Sequence, residues 1–316
     1  MQKRRLGRTD LDIAPLVLGG NVFGWTADET TSFDILDRFA DAGLNAIDTA
    51  DVYSRWAPGN RGGESEAIIG RWMKARGNRD KVVVITKVGS DMGQGRIDLS
   101  ARYIAKAVED SLKRLQVETI DLYLSHWPDD AVPYDETLAA HQRLIEQGKI
   151  RWCGASNLDA GQLQAALKVA SQKKLPRYEV LQPEYNLYDR SSFDGPLGDL
   201  CIREDIGVIT YFALARGFLS GKYRSEADLG KSPRGGSIGK YLDARGMRIL
   251  AALDLVSERH GARQAEVALA WVIARRGVTA PIASATTIEQ TDSLISAVRL
   301  QLTAADMQEL DGASAP

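Results

Sequence analysis

Residues 45–53, Asn-Ala-Ile-Asp-Thr-Ala-Asp-Val-Tyr (NAIDTADVY), decide how this chain reads. The short apolar run Ala46–Ile47 delivers a carboxylate, Asp48, and Tyr53 follows five residues later. Two later runs of strand character also end on ionisable side chains, VVVITK at Lys87 and IDLYLSH at His126. Outward from these three, strand-like and helix-like periods alternate along the whole chain. The pattern predicts strands over 16–19, 45–48, 81–87, 120–126, 150–156, 178–182, 207–212 and 278–282. It predicts helices over 30–42, 64–75, 100–115, 134–147, 159–172, 198–204, 243–260, 264–275, 288–298 and 304–312, with Ser100 as an N-cap. Strands that are apolar on both faces imply a parallel sheet covered on both sides. Eight such strand–helix units without a break in composition predict one domain over residues 1–316. The expected fold is α/β, a (β/α)8 TIM barrel, with an N-terminal β-hairpin inside residues 3–18 and extra C-terminal helices. A doubly wound sheet would place G-x-G-x-x-G after its first strand, and Gly19-Gly20-Asn21 does not supply it.

Composition excludes several classes of function. The chain has 316 residues, 44% hydrophobic and 26% charged, enough for a large core. A net charge of −2 gives no reason to expect nucleic acid or an anionic membrane as partner, and the basic pairs are short and scattered. Cys153 and Cys201 lack ligand or dithiol spacing, so no metal is expected and both read as small buried thiols. No run approaches the ~18 apolar residues of a membrane span, and the expected location is the cytoplasm.

In a barrel of this kind the strand C-terminal ends and the loops after them converge on one face. Asp48 ends the second strand, Tyr53 lies just beyond it, Lys87 ends the third and His126 the fourth. Neighbouring strands are ~5 Å apart, so these side chains can meet. A tyrosine hydroxyl with a pKa near ~10 is a poor acid alone, but a nearby ammonium favours its ionised form. Asp48 supplies the countercharge that a buried lysine needs, and His126 can donate a hydrogen bond to a substrate oxygen. Singly, each has a plainer reading: Asp48 as a helix cap or turn residue, Tyr53 as amphipathic core, Lys87 as solvated, His126 as a core histidine beside Trp127. Four together at consecutive strand ends form a proton donor with a polarising pocket, suited to a carbonyl becoming an alkoxide.

With these residues in place, the sequence resembles the aldo-keto reductase superfamily over nearly its whole length. The segments that carry the likeness are LGRTDLDIAPLVLGGNVFG, IDTADVYS, GGESEAIIGRWM, ITKVG, IDLYLSHWPD, IRWCGASN, LQPEYNLYDR and YFALARGFLSGKY, in family order. The resemblance implies a (β/α)8 barrel that uses NADPH, less often NADH, on a small carbonyl or alcohol substrate. It makes Tyr53 the general acid, tuned by Lys87 and Asp48, with His126 orienting the carbonyl. It assigns Ser156, Asn157 and Gln182 to the nicotinamide carboxamide and Tyr211 to stacking on the nicotinamide ring. It reads Leu214–Lys222 as a pyrophosphate strap, with Leu214, Gly217, Leu219, Gly221 and Lys222 at the cofactor. The segment after the last strand, with Ser284, Thr286, Thr287 and Gln290, falls where the family binds the adenosine 2′-phosphate. The family's basic residue, Arg or Gln, and Asn are matched here by Ser284, Gln290 and Leu294, and no Lys or Arg lies in the segment. NADP(H) is favoured on the family's habit, with NAD(H) left open.

Phe23, Trp25, Trp56 and Trp127 are the aromatic candidates for the substrate pocket, with packing as the alternative for each; an apolar wall would suit an aromatic, alicyclic or otherwise bulky carbonyl. Residues 224–240, rich in Gly, Lys and Ser, read either as a lid or as a disordered loop. A rival reading is a cofactor-binding regulatory module, since the superfamily includes β subunits of potassium channels; the absence of an N-terminal extension before the barrel counts against it. A cofactor-independent isomerase or lyase would leave Ser156–Asn157 and the Tyr211–Lys222 strap without a purpose.

Overall fold

The computed structural model describes residues 2–232 and 235–315. The run LDIAPLVLGG splits at Pro15, which lacks the amide needed to continue a ladder. Before it, β1 (Arg4–Arg5) and β2 (Asp12–Ile13) pair antiparallel as a hairpin. After it, β3 (Val17–Gly19) opens a closed barrel. The other staves are β4 (Ala46–Asp48), β5 (Val83–Val88), β6 (Ile120–Ser125), β7 (Ile150–Ser156), β8 (Val180–Gln182), β9 (Gly207–Thr210) and β10 (Ala280–Ala283). All eight are parallel, and β10 closes onto β3 through Ile282 beside Val17.

Six helices each follow one stave: α1 (Glu29–Asp41), α2 (Glu64–Arg76), α3 (Ala101–Leu115), α4 (Tyr134–Glu146), α5 (Ala160–Lys173) and α6 (Pro196–Glu204). Ser100 does cap α3, accepting from the Tyr103 amide, as Asp28 caps α1 by accepting from Thr31. The simple alternation fails after β9, where short 3₁₀ turns lead into α7 (Ala244–His260) and α8 (Gln264–Ala274). Beyond β10 come α9 (Ile288–Arg299) and α10 (Ala304–Ser314). Helices α7 and α10 pack on each other, joined by Arg259 to Glu309 at 2.9 Å and by His260 to Asp306 at 2.8 Å.

Side-chain alternation along each stave divides the core in two. Outward residues such as Ile47, Val84, Tyr123, Cys153, Leu181 and Val208 pack against the helices. Inward residues Val17, Ala46, Ile85, Leu122, Leu124, Val180, Ile209, Ala280 and Ile282 fill the barrel. Leu6, Leu11 and Ile13 of the hairpin join that inner cluster and stop the barrel's lower end. Gly7, at φ 58°, lies so close to the Gly207 amide that a Cβ would stand 2.5 Å from it. Arg4 reaches the carbonyls of Ile273 (2.9 Å) and Thr279 (3.1 Å), tying the start of the chain to the segment before β10. Among the described residues no helix is long and apolar enough to cross a membrane.

Candidate active site

The inward rows do not stop at the apolar layer. One step of two residues beyond each comes a top layer: Ala46 leads to Asp48, Ile85 to Lys87, Leu124 to His126, Gly154 to Ser156, Val180 to Gln182, Ile209 to Tyr211 and Ile282 to Ser284. The corresponding position above Val17 is Gly19, where an added Cβ would stand 2.5 Å from Ser284 Oγ. The parity that fills the barrel with aliphatic side chains therefore places the polar ones together at its upper mouth.

Lys87 is fully buried and Asp48 nearly so. Lys87 Nζ lies 2.7 Å from Asp48 Oδ1 and 2.8 Å from Oδ2, and also donates to the Thr49 carbonyl at 2.8 Å. The same ammonium is 3.0 Å from the Tyr53 hydroxyl, which in turn donates to Asp48 Oδ2 at 3.1 Å. Burial draws the lysine pKa below its ordinary value, opposed by the Asp48 carboxylate. His126 has its Nδ1 2.9 Å from Ser90 Oγ. Burial, then the charge of Lys87, holds its pKa well below 6.5, so the imidazole is neutral. When the Ser90 hydroxyl donates to Nδ1, the proton sits on Nε2. The Tyr53 and His126 rings are 6.2 Å apart, edge to face. Sequence reading missed Ser90 and Thr49; Ser90, three residues beyond Lys87 in KVGS, carried no signal apart from its nearness to a strand end.

The residues assigned to the carboxamide do come together, but they are satisfied by one another. Gln182 Nε2 donates to Asp48 Oδ1 at 2.8 Å, and Ser156 Oγ donates to the Gln182 carbonyl at 2.7 Å. Asn157, in a left-handed conformation at φ 63°, donates to the His126 carbonyl at 2.9 Å and to Ser156 Oγ at 3.1 Å. Its Oδ1 accepts from the Tyr211 hydroxyl at 2.7 Å. Tyr211 is half-buried, with Phe212 against its ring edge to face at 5.0 Å.

In the strap, Ala215, Arg216 and Gly217 all adopt positive φ (47°, 59° and 102°), and Gly221 ends it at 77°. Leu214 is half-buried and Lys222 exposed, its Nζ 5.0 Å from the Tyr223 ring centre. Leu219 departs from expectation: its side chain is fully buried in the helix-side core. Gln264, unmarked in the sequence, lies against Gly221, where a Cβ would meet its amide. At the far end, Ser284 donates to Asn21 Oδ1 at 2.5 Å, Thr287 caps α9 by accepting from Gln290, and Thr286 donates to Gln290 Oε1 at 2.9 Å. Arg263, also missed, supplies a guanidinium beside this helix start, 2.9 Å from Glu289.

At the rim, Trp56 and Trp127 are 49% and 41% exposed, large apolar faces left at the mouth. Trp127 stacks on His126 with an interplanar angle of 14°, and Trp56 lies 6.0 Å from the Tyr53 ring. Trp25 meets Trp56 edge to face at 5.8 Å. Phe23 does not belong with them. It is fully buried beneath the loop, packed in the helix-side core, with its carbonyl accepting from Ser54 Oγ at 2.6 Å. The segment 224–240 is built of 3₁₀ turns, Glu226–Lys231, Gly235–Ser237 and Gly239–Tyr241, anchored by the fully buried Ile238 and Tyr241. Its residues 233 and 234 lie outside the described part.

Residues 15–315 match the model of the aldo/keto reductase family. The chain belongs to the aldo/keto reductase family. It is 36% identical to the "uncharacterized oxidoreductase YrpG" of Bacillus subtilis over 312 residues, spanning 96% of this chain and 92% of that protein. It is 31% identical to "aldo-keto reductase YhdN" of the same organism, over 93% of this chain and 86% of the relative. A "probable voltage-gated potassium channel subunit beta" of Oryza sativa subsp. japonica is 32% identical over 90% of this chain and 88% of its own. The chain is thus an aldo/keto reductase family oxidoreductase, and that family uses nicotinamide cofactors, generally NADPH.

The residues present fit such a dinucleotide. The top layer gathers the amides of Asn157 and Gln182 and the Ser156 hydroxyl beside the half-buried Tyr211. Glycines with left-handed backbone in the strap allow close approach, and a Cβ on Gly217 would meet nothing nearer than the flexible end of Lys222 at 3.7 Å. Arg216, Lys222 and the capped start of α9 are places where phosphates are favoured.

Proposed function

We propose that this chain interconverts aldehydes or ketones and alcohols with NAD(P)H, as one cytoplasmic barrel domain over residues 1–316 acting on a small molecule. The observation that carries this reading is the triangle of Lys87 Nζ, Tyr53 OH and Asp48 Oδ2, with edges of 2.8, 3.0 and 3.1 Å, beside a neutral His126. The nicotinamide, when bound, supplies or accepts the hydride. Ser156, Asn157, Gln182 and Tyr211 would hold its ring. The strap Leu214–Lys222 would hold the pyrophosphate, and Ser284, Thr286, Thr287 and Gln290 the adenosine end, with NADP(H) favoured by family habit.

On the protein side, Tyr53 gives its proton to the substrate oxygen in reduction and takes it back in oxidation. Lys87 lies where its ammonium favours the tyrosinate left behind, and Asp48 holds that ammonium in place. The Nε2–H of a neutral His126 donates to the same oxygen without competing as an acid. Trp56 and Trp127 wall the entrance and suit a flat or bulky carbonyl.

Tyr53→Phe tests the assignment. Turnover should fall ~10²–10⁴-fold while quenching of tryptophan fluorescence by NADPH or NADH is retained. Surviving turnover would remove Tyr53 as the acid, and absence of binding to either dinucleotide would remove the reductase reading. The rice β-subunit relative keeps a regulatory module in view. Dinucleotide binding without turnover of any aldehyde or ketone would favour it.

A further inference from the structure

One buried acid beside this site has no part in the chemistry just described. Asp51 lies between Asp48 and Tyr53 in sequence, and its backbone amide meets the Lys87 carbonyl at 3.3 Å. Its side chain is buried, the residue being 2% exposed. Apart from a glancing approach of the neighbouring Val52 amide, neither carboxylate oxygen meets a donor among the described residues.

The charges around it explain why no partner is left over. Glu66, fully buried on α2, accepts from Arg114 Nε of α3 at 2.6 Å and from Thr86 Oγ1 of β5 at 2.6 Å. That pairing commits Arg114 to Glu66 and leaves it no hydrogen bond to give Asp51. On the other side, Lys87 is held by Asp48 and the Thr49 carbonyl. Tyr103 of α3 and Tyr123 of β6 complete the titratable groups facing Asp51, and both have phenols pushed up, chiefly by burial and also by the Asp51 charge. The loop over the acid is sealed: a Cβ on Gly62 would stand 3.0 Å from the Asp51 carbonyl, and one on Gly63 would press into the Arg114 side chain.

An ionised Asp51 would be a buried charge without a hydrogen bond, a costly state that a carboxyl avoids by keeping its proton. Burial first, and the charge of Glu66 second, push it up to about 8. After Asp48, Asp51 is the next carboxylate whose charge acts on Lys87.

We infer that Asp51 is a positioning residue for Tyr53, acting through Lys87 as a neutral acid and, once ionised, weakening Tyr53 as a proton donor. The reason is electrostatic. When Tyr53 loses its proton, the anion is stabilised by Lys87. A second anion behind Lys87 draws on the same ammonium and repels the tyrosinate. With Asp51 neutral, the lysine's charge is set chiefly against Asp48 and Tyr53, with Glu66 a lesser influence. Above its own titration, Asp51 releases its proton to bulk water and makes Tyr53 harder to ionise.

This inference builds on the reading of Tyr53 as the acid, so its test does not depend on turnover. The chain without cofactor is titrated while tyrosinate absorbance is followed, in the native protein and in Asp51→Asn. Subtracting Tyr53→Phe in each background isolates Tyr53. Its midpoint should be roughly one pH unit lower in Asp51→Asn than in the native background. The infrared band of a protonated carboxyl should be present at pH 7 in the native protein and missing in Asp51→Asn. Glu66→Gln provides a second route if Asp51→Asn does not fold: Arg114 is then released to face Asp51, and the pH at which the carboxyl band disappears should fall. An unchanged Tyr53 midpoint, a carboxyl band that survives Asp51→Asn, or a band that does not move in Glu66→Gln would each overturn the inference. Loss of reductase activity in Tyr53→Phe bears on the function and leaves these spectra as they are.

Discussion

Replacing the two ends of the buried Asp48–Lys87 pair, singly and together, probes how the mouth of the barrel holds its charge. At 2.7 Å and an effective dielectric near 20, the direct attraction is about 6 kcal/mol, an upper figure because both groups lose water on burial. Asp48→Asn leaves a fully buried ammonium with only neutral acceptors, among them the Thr49 carbonyl, and no countercharge. Lys87→Met leaves a carboxylate that keeps donors from Gln182 and Tyr53 but has no countercharge. Each single change should cost ~3–5 kcal/mol of stability, the penalty of stranding a buried charge. The double variant strands neither, so it should cost no more than one single variant, and the cycle should close with a coupling of ~3–5 kcal/mol. Urea unfolding at pH 7, followed by tryptophan fluorescence and far-ultraviolet dichroism together, measures all four species. Additive losses, with a coupling below ~0.5 kcal/mol, would refute the claim that the two charges are held as one dry unit.

Two other tests reach different parts of the fold. His141 is fully buried between Tyr123 and Tyr178, neither ring nitrogen has a hydrogen-bond partner among the described residues, and burial lowers its pKa to about 4. Because the folded value lies below the unfolded one, the unfolded chain binds the extra proton. Stability is therefore full above pH ~6.5 and falls by about 3 kcal/mol as the pH drops towards 4; His141→Phe should lose less over that window in urea titrations, and equal losses would contradict it. Trp127→Ala and Trp56→Ala should raise KM for a bulky aromatic aldehyde roughly tenfold, from ~1.4 kcal/mol of lost ring contact, while propanal kinetics stay nearly constant; equal effects on both aldehydes would show that the tryptophans do not select.

The staves and their ionisable ends were legible because the period of two is local: Ala46 and Asp48, or Ile85 and Lys87, declare the same face in the string itself. What the string hides is set by contacts between distant segments. Phe23 and Trp25 look alike as aromatic residues in one loop, yet Ser54 and the helix-side core draw the first inward. Gln182 reads as a donor to a ligand, but its amide is already aimed at Asp48, 134 residues away. Ile238 and Tyr241 are buried in the core, which glycine and lysine content does not disclose. Asp51 has the look of an ordinary turn residue, and only the commitment of Arg114 to Glu66 leaves its carboxylate without a donor among the described residues.

The hairpin that stops the lower end of the barrel imposes an order on synthesis. The Gly207 backbone against which Leu6 and Gly7 close emerges from the ribosome about two hundred residues after them. The carbonyls of Ile273 and Thr279 that receive Arg4 come later still. At ~5–20 residues per second, the nascent chain spends on the order of ten seconds or more with that apolar plug unhoused. During the same interval Val17 has no Ile282 to pair with, and the first stave stands as an open edge. The hairpin thus waits for a seat that is made some two hundred residues after it.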